Sequence, residues 1–339
     1  MSDRKQRPIA LFSPTLGGGG AEKVLVNLAC GMIDQVEAID IVVGQATALH
    51  TSHIPQQARL VDLRASRTLC SIFPLTEYMR ESRPRAMICF QDHATVVALW
   101  ARALARVPLP IVGTVHTTWS RCLATGTVKT RVLAWCARQA YARVESVVAV
   151  SNGAADNLAA TLNLPRVKIR VIYNPVIGPD LFARSKAVLE HPWFAPGCQP
   201  VIIGIGRLTQ PKDFQTLVLA FAQVRRQIDC RLMILGEGEE RASLAALATA
   251  TGFGDDIALP GFVDNPYKYL VHSSLFVLSS IWEGLPTVLI EALALGVPVV
   301  STDCDNGPRE ILENGLHGRL VRPADPSALA EAMRRPSFM

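Results

Sequence analysis

Two glutamates eight positions apart, Glu283 and Glu291, stand in the segment Ser280-Ile281-Trp282-Glu283-Gly284-Leu285-Pro286-Thr287-Val288-Leu289-Ile290-Glu291-Ala292. Pro286 suits the first turn of a helix. Glu283 is therefore expected in the loop before that helix and Glu291 in its second turn. Each carboxylate accepts two hydroxyls, which fits sugar and ribose recognition. The helix N-terminus between them can take a phosphate. A carboxylate in an otherwise apolar helix is costly without partners. The plainer alternative for both is a satisfied structural acid.

Arg207 follows the apolar run Val201–Ile205, and Lys212 lies five residues on, at a helix start. Arg offers a fork to phosphate oxygens and Lys a point charge. A departing nucleoside diphosphate needs such neutralisation. Gly17-Gly18-Gly19-Gly20 leads from a first strand into a helix. Glycines there allow close backbone approach, and a helix start presents free N–H groups. Neither a Walker loop nor a G-x-G-x-x-G fingerprint is present.

Other candidates are weaker. Thr114-Val115-His116 ends a strand, so His116 is expected at a ligand-facing strand end, where it can bond a hydroxyl or phosphate. Asp92 and His93 follow another strand and could touch an acceptor. Asp303-Cys304-Asp305 has the D-x-D form of a metal signature, but Asp in such a place usually makes turns and caps. No metal and no cofactor is expected. Glu310, early in the next helix, is a further ligand contact or a dipole-complementing acid.

The elements that must position these residues alternate. Ile9–Phe12, Ile39–Val43, Met87–Phe90, Ile111–Val115, Val147–Val150 and Ile169–Ile172 are short apolar runs, and helical stretches such as 21–33, 94–105 and 128–142 lie between most of them. The rhythm restarts with strands at 201–205, 232–235, 257–259, 275–278 and 297–300, and helices at 212–227, 239–250 and 286–295. Short buried strands with intervening helices predict parallel sheets covered on both faces. Residues 173–200 hold five prolines and little periodicity, so the hinge is placed there. The predicted fold class is α/β, with two doubly wound Rossmann-like domains, 1–180 and 181–339, and a cleft between them. Ligands in such folds bind beyond the carboxyl ends of strands.

Composition agrees with this. The 339 residues are 49% apolar and 19% charged, a globular balance sufficient for two cores. No run reaches the roughly 18 apolar residues of a membrane span. The start does not read as a signal peptide. Eight cysteines without a C-x-x-C pair suggest reduced core residues of a cytosolic protein. Residues 1–180 carry 20 Lys and Arg against 12 Asp and Glu, and residues 181–339 carry 14 against 17. A basic first half suits an anionic partner. Arg121, Lys129, Arg131, Arg138 and Arg143 lie amid Leu133, Trp135 and Tyr141 with no acid between them. That is either a solvated helix packed on the sheet or a surface that meets anionic lipid. No nucleic-acid partner is expected.

Taken in order, these residues resemble a family 4 retaining glycosyltransferase of the GT-B fold, of the type that builds bacterial surface polysaccharides. The resemblance runs from the first strand to about residue 325. It rests on Gly19-Gly20-Ala21-Glu22, Val150-Ser151-Asn152, Tyr173-Asn174-Pro175, Gly206-Arg207 with Lys212, Gly261-Phe262, the Glu283/Glu291 pair and Gly307-Pro308-Arg309-Glu310-Ile311-Leu312.

The resemblance implies that Arg207 and Lys212 grip the donor diphosphate. Glu291 would hold the ribose and Glu283 the donor sugar, with Gly284 and Leu285 alongside. Gly261 and Phe262 would frame the base, Gly19 and Gly20 would approach the phosphates, and His116 would sit by the sugar. It implies a metal-independent front-face reaction with no protein nucleophile. The donor is expected to be a uridine diphosphate hexose or N-acetylhexosamine. The acceptor is expected to be a glycan or lipid-linked sugar at the inner membrane face. Members usually continue with a helix that crosses back onto the first domain, and here the chain ends at Phe338-Met339, so that helix is expected to be missing. The rival readings are a non-catalytic sugar-nucleotide binder and a sugar-nucleotide epimerase of the same fold.

Overall fold

A computed structural model describes residues 7–16, 19–46, 54–124, 126–178 and 180–335. Gly17, Gly18, Phe338 and Met339 lie outside the described residues. The chain forms two compact units, Met1–Val176 and Ile177–Met339.

The first unit is built on a parallel sheet of β1 (Ile9–Thr15), β2 (Ile39–Gln45), β3 (Ala58–Asp62), β4 (Ala86–Phe90), β5 (Ile111–Val115), β6 (Ser146–Ala149) and β7 (Ile169–Val171). Their order across the sheet is β3-β2-β1-β4-β5-β6-β7. The winding reverses between β1 and β4, which makes the carboxyl ends of those strands the switch point. The helices are α1 (Gly20–Met32), α2 (Ile72–Ser82), α3 (Asp92–Ala105), α4 (Trp119–Ala124), α5 (Val128–Arg143) and α6 (Asn152–Leu162).

Side chains alternate across each strand, and the two faces build separate cores. Phe12, Val42, Met87, Cys89 and Ile111 pack against α2 and α3. Leu11, Ile39, Ile41, Val43 and Phe90 pack against Val24, Leu25 and Ala29 of α1. Strands buried on both faces are the continuous apolar runs of the sequence.

The second unit repeats the plan. Its strands are β8 (Val201–Ile205), β9 (Arg231–Leu235), β10 (Ile257–Gly261), β11 (Leu275–Leu278), β12 (Val299–Thr302) and β13 (Arg319–Val321). They lie parallel in the order β10-β9-β8-β11-β12-β13. Around them stand α7 (Leu181–Ser185), α8 (Phe214–Arg225), α9 (Arg241–Ala250), α10 (Tyr267–His272), α11 (Thr287–Ala294), α12 (Pro308–Ile311) and α13 (Pro326–Arg334). β3 and β13 have no counterpart among the predicted strands. Both are sheet edges, and neither contains a fully buried residue, so neither carries a buried apolar run.

Three expectations are corrected here. Asp92 does not stand open to an acceptor. It is buried, and its Oδ1 accepts from Trp119 Nε1 at 3.0 Å and from the Tyr141 hydroxyl. Burial raises its pKa, and these two donors oppose that shift. The carboxyl therefore ties α3, α4 and α5 together. Residues 121–143 are not one helix, because α4 stops at Ala124, Gly126 has φ 66° and Thr127 starts α5 by accepting from Thr130 N at 3.2 Å. Cys70 and Cys198 are exposed rather than in the core. Among the described residues no helix is long and apolar enough to cross a membrane.

Asp92→Ala would leave a buried indole N–H and a buried phenol without an acceptor, at about 1–3 kcal/mol per stranded group. Asp92→Asn retains an acceptor oxygen. Urea unfolding should show a large loss of stability for the alanine variant and a clearly smaller one for asparagine.

Candidate active site

In the second unit the loops after β8, β11 and β12 are joined at their carboxyl ends. Ile281 N donates to Pro211 O at 2.8 Å, and Ser279 Oγ donates to Lys212 O at 2.8 Å. Thr302 Oγ1 donates to Ser280 O at 2.6 Å, and Glu283 N to Asp305 O at 3.1 Å. These bonds bring Lys212 and Glu283, 71 residues apart in the chain, to an ion pair of 2.6 Å. Ser280 Oγ donates to the same carboxylate oxygen at 2.6 Å. The pair is mostly buried, with side-chain exposures of 23% and 12%. Arg207 stands exposed just after β8.

Glu283 lies in the loop before α11, and Glu291 is buried within that helix at 4% exposure. Pro286 is the residue just before α11. Gly284 and Leu285 are buried in the same turn. Gly307, with φ 94°, lets this turn pack closely, since a Cβ there would come within 2.5 Å of Pro286 Cδ. Glu310 is half-buried in α12. Gly261 ends β10 with φ 92°, and Phe262 beyond it is half exposed.

Asp303 is engaged by Arg309, whose Nε donates to Oδ1 at 3.0 Å, while Asp305 joins its backbone to Trp282 and Glu283. Among the described residues no three His, Cys, Asp or Glu side chains cluster as a metal site.

Sequence reasoning missed Gly236 and Gly238. A Cβ on Gly236 would lie 1.9 Å from Gly206 O, and one on Gly238 would lie 2.1 Å from Leu208 O. The two glycines let the loop after β9 lie directly on the loop that carries Arg207. The available signal was a Gly-x-Gly immediately after an apolar strand. Ser279, Ser280 and Thr302 were missed as well.

In the first unit, Gly19 precedes α1 and caps it with no side-chain bond, and Gly20 is the helix's first residue. Thr15 Oγ1 donates to the buried Glu22 at 3.3 Å. His116 stacks on Phe90 at 5.7 Å, and its Nε2 lies 2.8 Å from Thr114 Oγ1. The Thr114 hydroxyl gives its one proton to Cys89 O at 2.9 Å. His116 Nε2 must therefore be the donor to Thr114, which leaves Nδ1 as an acceptor. Enclosure lowers the ring's pKa to about 4, so it is neutral near pH 7. His93 is half-buried at the start of α3, and its pKa is also lowered by burial.

Residues 18–177 match the family model described as Glycosyltransferase Family 4, and residues 189–336 match the one described as Glycosyl transferases group 1. Successive halves of the chain thus match two glycosyltransferase models, and the fold is that of the GT-B glycosyltransferases. It is 29% identical to an N-acetylgalactosaminyltransferase of Campylobacter jejuni that acts on an undecaprenol-diphosphate-linked sugar, over 57% of this chain and 51% of that protein. It is 34% identical to the lipopolysaccharide core biosynthesis glycosyltransferase LpsE of Rhizobium meliloti, over 50% of this chain and 47% of that protein. The chain thus spans about half the length of these curated relatives. The fold is shared with Anabaena HepE in complex with UDP-glucose, at a TM-score of 0.78 and 21% identity over 97% of this chain and 89% of that one.

Two outcomes are expected of this chain. Gly236→Ala collides with Gly206 O and should cost more than about 2 kcal/mol in urea unfolding. The unfolded chain protonates a histidine below about pH 6.5, and folded His116 does so only near 4. Stability is therefore lost as pH falls through that window. His116→Gln should flatten the melting temperature between those pH values relative to the parent chain.

Proposed function

We propose that this chain transfers a hexose or N-acetylhexosamine from a uridine diphosphate sugar to a glycan or lipid-linked acceptor, with retention and without a metal. The observation that carries the reading is the Lys212–Glu283 pair of 2.6 Å at the strand ends, one turn from a helix that buries Glu291. A cation for the diphosphate then adjoins a carboxylate for sugar hydroxyls. UDP-glucose in the Anabaena structure supports the donor class, and the Campylobacter and Rhizobium relatives support the acceptor class and a role in surface polysaccharide synthesis.

In the proposed reaction the bond from the sugar's anomeric carbon to the diphosphate oxygen breaks. The acceptor oxygen bonds to the same face of that carbon, and its proton passes to the leaving diphosphate. Arg207 and Lys212 neutralise the charge gathering on the diphosphate. Glu283 orients the sugar, Glu291 the ribose hydroxyls, and Gly261 with Phe262 frames the uracil. In the first unit, His116, neutral with Nδ1 as its acceptor, suits a hydrogen bond from a ligand hydroxyl.

Calorimetric titration with uridine diphosphate in the presence of a chelator tests the donor site. Parent protein should bind, and Lys212→Ala should weaken binding by roughly 10- to 100-fold, the loss of one charge-assisted contact. A melting scan of each variant separates lost binding from lost folding. Tighter binding of guanosine or adenosine diphosphate would overturn the uridine assignment. Unchanged affinity in a folded Lys212→Ala variant would overturn the site.

A further inference from the structure

We infer that Ser280 is a positioning residue for the donor sugar, a role that rests on Glu283 being the carboxylate that meets the sugar hydroxyls. Ser280 lies just beyond β11 and has no exposed surface. A buried hydroxyl must give its proton to a protein partner, and that partner is Glu283 Oε1 at 2.6 Å. A bond of this length to a carboxylate is of the short, charge-assisted kind. With no surface of its own, Ser280 reaches a ligand only through the glutamate it holds.

The main chain gives this hydroxyl a fixed direction. On one side, the Ser280 carbonyl accepts from Thr302 Oγ1 of the neighbouring strand β12 at 2.6 Å. On the other, Ile281 N donates at 2.8 Å to Pro211 O, in the turn after the neighbouring strand β8. Trp282 bridges to Asp305, and Glu283 N donates to Asp305 O at 3.1 Å. The turn 280–283 is thus pinned at both ends, and the Ser280–Glu283 bond closes it through the side chains. A glutamate side chain has much rotamer freedom to lose, so a carboxylate on a fixed turn still needs a donor to fix it.

Lys212 Nζ reaches the same carboxylate oxygen at 2.6 Å, but the lysine has a second role. Its ammonium is also the cation that a diphosphate draws on. Ser280 has one proton to give and no such rival claim on it. When a diphosphate pulls on Lys212, Ser280 still holds the carboxylate at the position the sugar meets. The two donors divide the work: lysine links the carboxylate to the diphosphate, and serine links it to the sheet. Loss of the serine hydroxyl therefore weakens the hold on the sugar more than the hold on the nucleotide. A general loosening of the loop would weaken both together, because the same loop is bonded to Pro211 and to the Lys212 carbonyl.

The test is calorimetric titration with uridine diphosphate, UDP-glucose and UDP-N-acetylglucosamine, with a melting scan of every variant. Ser280→Ala is expected to weaken the sugar nucleotides about tenfold more than it weakens uridine diphosphate, the loss of one hydrogen bond to a charged group. Ser280→Thr, which keeps the hydroxyl, should restore most of that difference. Ser273→Ala removes another buried serine hydroxyl of this unit, which donates to Leu270 O at 2.6 Å, and should leave the affinity ratio as in the parent chain. Equal weakening of all three ligands in a folded Ser280→Ala variant would overturn the inference, as would a ratio change that Ser273→Ala reproduces. A ratio unaltered by Ser280→Ala but altered by Glu283→Gln sinks the role of Ser280 and leaves the proposed function standing. A ratio altered by neither variant sinks the assignment of Glu283 to the sugar, and the role of Ser280 with it.

Discussion

The Lys212–Glu283 pair is the contact on which the site in the second unit depends. Lys212 lies in the turn after β8, and Glu283 lies in the loop that follows β11. These strands are direct neighbours in the sheet, so the pair closes the gap between adjacent carboxyl ends. Its partners are themselves fixed. Ser280 donates to the carboxylate, Ser279 holds the Lys212 carbonyl, and Thr302 holds the Ser280 carbonyl. An ion pair this enclosed stabilises only when its geometry is good and further hydrogen bonds reach its charged groups; Ser280 supplies one such bond, while Ser279 and Thr302 fix the backbone around it.

The close packing beneath the pair is a matter of backbone clearance. Parallel strands about 4.8 Å apart bring their following loops closer than side chains allow. At Gly236 and Gly238 the loop after β9 rests on carbonyls of the loop after β8, and at Gly307 the turn of 284–286 rests on the loop after β12. Any side chain at these three positions would displace the loops that carry Arg207 and Glu283. The glycines and the ion pair therefore serve one requirement, loops held at backbone contact around a helix N-terminus.

Much of this was legible in the sequence because the central strands are buried on both faces. That burial demands unbroken apolar runs, which is why Ile111–Val115, Val201–Ile205 and Leu275–Leu278 are found with the bounds read from the sequence. The same logic hides β3 and β13, edge strands with no such demand. Lys212 and Glu283 were legible as separate candidates from their helix-start positions, but nothing in their spacing said that they touch. That contact depends on two strands being neighbours, which local pattern does not encode. Asp92 shows the converse failure. A carboxylate after a strand looks like a ligand residue, and only the distant Trp119 and Tyr141 reveal it as an internal tie. Gly236 and Gly238 were silent because their requirement is a distance between loops rather than a local conformation.

The resting state of the pair has a consequence for how a diphosphate would be received. Lys212 is already neutralised by Glu283, whereas Arg207 is exposed and makes no ion pair among the described residues. An arriving anion therefore meets Arg207 first and gains Lys212 only by sharing it with Glu283. Sharing is possible because an ammonium carries three donors, and one of them is already committed to the carboxylate. The geometry is thus set before the ligand arrives, so little side-chain ordering remains to be done on binding. The sugar hydroxyls that would bond Glu283 then compete with Ser280 rather than with water. A nucleoside diphosphate without its sugar leaves that exchange unmade. On this arrangement, the affinity difference between a nucleotide and its sugar conjugate includes the Glu283 contact, and a Glu283 variant isolates that share of it.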